Sequence, residues 1–184
     1  VSHRVIRAPV SLLGQSPGFS TKNATCVQLA TTQPVHWDRN KSDFMRVLNQ
    51  EQPMHDAYRY AFISDAEEGL ILADVGVMSD QNPSNNFFKR ALTWNEGGVL
   101  TGARHLTIAG THLYIPTPKG IVVVDVDTPL KPRVAAVIPL SGVRATAVQF
   151  RYLFAVGEGG LQVVDITDPA KPVVMPGATF GIKD

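Results

Sequence analysis

Residues 103–176 carry one unit written twice, and no other feature constrains the fold of this chain as tightly. The segments ARHLTIAGTHLYIPTPKGIVVVDVDTPLKPRVAA and VRATAVQFRYLFAVGEGGLQVVDITDPAKPVVMP align without a gap at an offset of 40 residues. Arg104 falls on Arg144, Gly120 on Gly160, Val123 and Val124 on Val163 and Val164, and Asp125 on Asp165. Pro129, Lys131 and Pro132 fall on Pro169, Lys171 and Pro172. A fixed period of ~20–50 residues marks a repeat architecture, in which each unit buries its apolar face only against its neighbours.

Within the second copy, four short strand signals follow one another. Residues 144–150 and 152–156 are apolar or aromatic runs, 161–166 is a β-branched run, and 172–175 is shorter and edge-like. Glu158-Gly159-Gly160 closes the middle hairpin, and Thr167-Asp168-Pro169 with Lys171-Pro172 makes a rigid turn into the fourth strand. Pro172 has no N–H to give to a ladder, so it belongs at a strand start or on an edge. The unit therefore reads as a four-stranded antiparallel sheet of about 40 residues, the size of a β-propeller blade.

A more divergent copy lies upstream. In YAFISDAEEGLILADV, Gly69, Leu70 and Asp74 correspond to Gly120, Ile121 and Asp125 at an offset of 51. The excess over 40 implies roughly eleven inserted residues, placed within 76–87, after which 89–94 is expected to be the fourth strand. The first 57 residues do not show the repeat. Residues 42–50 are expected to form a short helix with Ser42 as N-cap and Phe44, Val47 and Leu48 on one face. The fold class read from the sequence is thus all-β, a partial propeller of four-stranded antiparallel blades preceded by an irregular segment. Residues 1–53 form that segment, packing on the blades or contributing strands to them. The blades are expected at 54–101, 102–141 and 142–180.

GIVVVDVDTPLKP at 120–132 and GLQVVDITDPAKP at 160–172 closely resemble the LVIVD repeat, and GLILADV at 69–75 is a weaker match. The resemblance covers about residues 54–184 and is strongest over 103–176. It implies propeller blades, commonly in exported proteins and sometimes within large surface or redox proteins, hence an extracytoplasmic location. It carries no common catalytic motif, so no active site is transferred with it.

Composition narrows the partners. A net charge of +1 supplies no field for gathering nucleic acid or anionic lipid. No apolar run approaches the ~18 residues of a membrane span, and no charged, apolar and small-residue series at the start resembles a signal peptide, while a start at Val1 rather than Met fits a processed protein or an excised piece of a longer one. Cys26 is the only cysteine, which excludes an internal disulfide, a zinc cluster and a CxxCH haem attachment site. It reads as a small buried apolar residue.

Asp74, Asp125 and Asp165 recur because the turn recurs: an Asp closing a strand accepts the backbone N–H groups that follow it. With Gly69, Gly120 and Gly160 they are expected to be structural turn residues. Carboxylates placed one per blade do not form the pair that acid–base catalysis demands. Arg104 and Arg144 head successive first strands, which border the central channel of a propeller. With His105 they are the candidate anion-binding site at the channel mouth, although pairing of each arginine within the protein is the stronger reading. Phe87, Phe88 and Trp94, in and after the insertion, are the candidate partner-binding loop, against a reading in which they only seal the adjacent blade. The five histidines form neither HxH nor HExxH, so no metal site is expected. Asn23-Ala24-Thr25 and Asn40-Lys41-Ser42 fit the glycosylation pattern, which is too short to carry weight.

The leading functional expectation is a non-enzymatic scaffold or protein-binding module. A second is a haem-free module of an extracytoplasmic electron-transfer protein, with haem c only on other parts of the assembly and no cofactor in this segment. A third is an enzyme using Arg104, His105 and Arg144. Asp184 falls in the register where Arg144 opens its blade, the chain starts at Val1 rather than Met, and a ring needs ~4–8 blades. The expected partners are therefore further blades of the same or another chain, or another protein.

Overall fold

The computed structural model describes residues 18–31, 33, 55–78, 85, 87–177 and 181; the helix expected over 42–50 lies outside them. Among the described residues twelve strands form three four-stranded antiparallel sheets, each a meander in which consecutive strands are neighbours. The first contains β1 (Ala24–Leu29), β2 (Tyr60–Asp65), β3 (Gly69–Asp74) and β4 (Lys89–Trp94). The second contains β5 (Thr107–Ala109), β6 (His112–Thr117), β7 (Gly120–Asp125) and β8 (Arg133–Ile138). The third contains β9 (Val143–Gln149), β10 (Tyr152–Gly157), β11 (Gly160–Asp165) and β12 (Val173–Val174). No α-helix occurs among the described residues, which hold only short 3₁₀ turns besides the strands.

The duplicated sequence produces duplicated turns. Thr117 pairs with Gly120 around Pro118-Lys119, and Gly157 pairs with Gly160 around Glu158-Gly159. Gly120 has φ 139°, and a Cβ there would collide with the carbonyl oxygen of Ile138 in the neighbouring strand, so the turn admits no side chain. Pro132 and Pro172 stand immediately before β8 and β12, where a missing N–H costs no ladder bond.

The first sheet differs at two connections: β3 and β4 are separated by residues 75–88, where the other sheets have seven residues between their last two strands, and its first two strands are far apart in sequence. Its opening strand, β1, comes from the N-terminal segment and pairs with β2 through Val27–Ile63 and Leu29–Ala61, although residues 30–59 intervene. In the third sheet the same junction is the two-residue turn Phe150-Arg151.

Strand alternation gives each sheet two apolar faces, and the sheets stack through them. Phe62, Leu70 and Leu72 of the first sheet are buried against Leu113, Ile115, Val122 and Val124 of the second. Tyr114, Ile121 and Val123, on the opposite face of the second sheet, are buried against Leu153, Ala155 and Val164 of the third. The middle strand β7 is buried at all six positions, as a strand covered on both faces must be. Hydroxyl bonds stitch the first strands together. Thr107 Oγ1 donates to the Thr146 carbonyl at 2.8 Å and lies 2.8 Å from Thr146 Oγ1.

Candidate functional site

The three strand-ending aspartates adopt one arrangement. Asp74 Oδ1 accepts the N–H of Gly76 at 2.9 Å, Asp125 Oδ1 that of Asp127 at 2.8 Å, and Asp165 Oδ1 that of Thr167 at 2.9 Å. The second oxygen of each faces an arginine: Arg59 on Asp74 at 2.9 Å, Arg133 on Asp125 at 2.6 Å, and Arg151 near Asp165 at 3.7 Å. Burial pushes the Asp125 carboxyl upward, but the Asp127 N–H and the Arg133 guanidinium outweigh it and hold the group below its ordinary value. The Thr167 hydroxyl and N–H do the same for Asp165. With both oxygens engaged, these carboxylates serve their turns. The arginines were not singled out from the sequence, yet Arg59-Tyr60-Ala61-Phe62 and Arg151-Tyr152-Leu153-Phe154 repeat the signal that marks two of them.

A fourth acid, Asp65, also escaped the sequence reading, because the second sheet has Thr117 at that register. It is fully buried and accepts three backbone N–H groups, from Asn23 at 2.7 Å and from Glu67 and Glu68 at 2.8 Å each. Burial raises its pKa, but those three bonds win and hold it below the ordinary value. Asp65 therefore locks the β2–β3 turn to the entry of β1.

Arg104 and Arg144 are both exposed, Arg104 just before β5 and Arg144 within β9. Neither has an ion-pair partner among the described residues. His105, between them in the proposed cluster, is half-buried, and its Nδ1 accepts the Thr146 N–H at 3.3 Å. Desolvation lowers its pKa, so at neutral pH it is an uncharged link between the second and third sheets. The cationic character of this region then rests on the two arginines.

The insertion aromatics separate. Trp94 lies in β4 opposite Leu70 and packs against the first core, whereas Phe87 and Phe88 are half-buried just ahead of that strand. His55 is buried: its Nδ1 accepts the Ala57 N–H at 3.0 Å, which leaves Nε2 to donate to Asp127 Oδ1 at 3.3 Å. It thereby ties the 3₁₀ turn before β2 to the turn after β7. Beside it, Asp56, Arg59, Tyr60, Thr128, Pro129 and Leu130 line a shallow cavity of about 270 Å³. Among the described residues no cluster of His, Cys, Asp and Glu could hold a metal. No helix of the described residues is long and apolar enough to cross a membrane.

Much of the outer face of the third sheet is apolar and only partly buried. Ala145, Ala147, Phe154, Leu161 and Val163 share it, none of them buried, and Val156 is 36% exposed. At the tip of the β9–β10 turn Phe150 is 90% exposed. A monomer seldom presents so continuous an apolar sheet face.

A model of the LVIVD repeat matches residues 147–177, which span the last three residues of β9 and all of β10, β11 and β12. No curated protein and no solved structure matches the chain.

Proposed function

We propose that this chain, a carrier of the LVIVD repeat, is a non-enzymatic binding module whose stacked sheets are propeller blades and whose working surface is the outer face of the third sheet. The observation that carries the reading is the uncovered row Phe154, Val156, Leu161 and Val163. Exposed on a rigid antiparallel ladder, such a row binds by removing apolar area from water, at roughly 25 cal/mol per Å² before the costs of association. The turn aspartates support the same reading, since both carboxylate oxygens of each face groups within the fold.

A photocrosslinking residue placed at Val156 of the intact source protein tests this. The expected product is a crosslink to a folded polypeptide, identified by peptide mapping, well above that from a crosslinker at exposed Lys119 in the β6–β7 turn. Equal yields from the two positions would remove the proposal.

A further inference from the structure

Tyr60 is only 8% exposed and packs in the first core, yet its hydroxyl has no hydrogen-bond partner among the described residues. It borders the cavity of about 270 Å³ between the 3₁₀ turn before β2 and the loop after β7. A phenol so enclosed takes its partner from the opening it lines. Two more groups without a partner among the described residues line the same cavity, the Asp56 carboxylate and the Thr128 hydroxyl. Asp56 and Arg59 stand three residues apart in the 3₁₀ turn, where side chains at that spacing eclipse, so both border the opening. Arg59 gives its Nε and Nη2 protons to Asp74 at 3.1 and 2.9 Å, and its charge is answered there. Asp56 therefore carries the one uncompensated charge among the lining residues. Pro129, which is buried, and Leu130, which is 47% exposed, supply an apolar flank.

We propose that this cavity binds a primary alkylammonium group. Such a head has three N–H donors and no acceptor, which matches the Asp56 carboxylate, the Tyr60 hydroxyl and the Thr128 hydroxyl in number, and its charge is opposite to that of Asp56. A short alkyl body then covers Leu130 and Pro129. Other ligands fit less well. A quaternary ammonium has no N–H to give to three oxygens, and an anion meets the Asp56 charge. Calcium takes about 6–8 oxygens, more than these three side chains supply. The lining residues belong to the first and second sheets, so the site goes beyond the binding-module reading and does not depend on it. Free alkylamines and lysine side chains share this head group.

The probe is butylammonium, titrated into the full chain at neutral pH and low salt and followed by the methyl resonances of Thr128 and Leu130. Saturation is expected with a Kd of about 1 mM, the range open to so small a ligand. Butanol, which lacks the charge, and tetramethylammonium, which lacks the N–H groups, are each expected to bind about tenfold more weakly or worse. Asp56→Asn should weaken butylammonium about tenfold, and Tyr60→Phe about threefold. Should the core change at Tyr60 not fold, Asp56→Asn decides alone, because Asp56 is exposed. Acetyl-lysine methylamide separates the two sources: tighter binding than butylammonium identifies a lysine side chain as the occupant, and weaker binding a free amine. The absence of saturation below about 50 mM, as from a cavity that holds only water, overturns the proposal. So does butanol or tetramethylammonium binding as tightly as butylammonium, or an Asp56→Asn change without effect.

Discussion

Phe150 stands at φ 55°, in the left-handed region where bulky side chains are costly, at the position that Gly110 occupies in the second unit with the same φ. Being 90% exposed, its ring contributes little packing to offset that strain. Phe150→Gly is therefore expected to leave stability unchanged or raise it by about 0.5–1 kcal/mol, measured by urea denaturation. A loss above about 1 kcal/mol would mean that the ring is anchored. Asp65 is the opposite case, since its charge is buried and fully used. Asp65→Asn is expected to cost about 2 kcal/mol. Because Asp65 and Asp125 are held below their ordinary values, their stabilising contribution is complete above the unfolded-state pKa of about 4 and is lost as pH falls through the folded-state values. Thermal unfolding temperatures should accordingly fall between pH 5 and pH 3, and less steeply in Asp65→Asn; an unchanged slope would absolve Asp65. The turn role of Asp74, Asp125 and Asp165 was legible because period and chemistry coincide. Asp65 was not, because it stands outside the recurring position and one of its three partners, Asn23, lies 42 residues away in sequence.

Among the elements, the middle and last strands of each unit were readable to within a residue or two, since glycines and prolines punctuate them. β1 was not. ATCVQL alternates only weakly, exposes Val27 and Leu29, and lies 30 residues from its partner rather than two. The blade start expected at residue 54 thus falls inside the first sheet, between β1 and β2. Contacts between elements were equally hidden. Thr107 and Thr146 look like ordinary strand residues, yet their hydroxyl contact joins the second and third sheets. Thr107→Val keeps the side-chain shape and removes both bonds, so it should cost about 1 kcal/mol in denaturation. If the loss is as small as that of an exposed Thr→Val change elsewhere, the stitch carries no energy.

At the scale of the whole molecule, the two cores make stability a chain of nearest-neighbour terms. The second sheet is held on both faces, and the third on one only. Native-state hydrogen exchange should therefore find β7 opening only with global unfolding. β11 and β12 should exchange through a partial opening that is easier by about 2 kcal/mol. Equal protection of β7 and β11 would contradict this ordering. The duplication made the stacking legible. It did not disclose which residues make up the partly exposed face of the third sheet, because that depends on the strand register, which the period alone does not give.

The long connection that carries the chain from β1 to β2 also bears on the order of events during folding. Closing a segment of 30 residues costs on the order of 2 kcal/mol more entropy than closing the two-residue turn at Phe150-Arg151. The hairpins of the second and third sheets can nucleate locally and early, whereas β1 gains nothing until Ser64 and Asp65 are in place to receive it. The first of the described strands is therefore among the last to arrive, and until it does the edge of β2 is open to capture by a strand from another molecule.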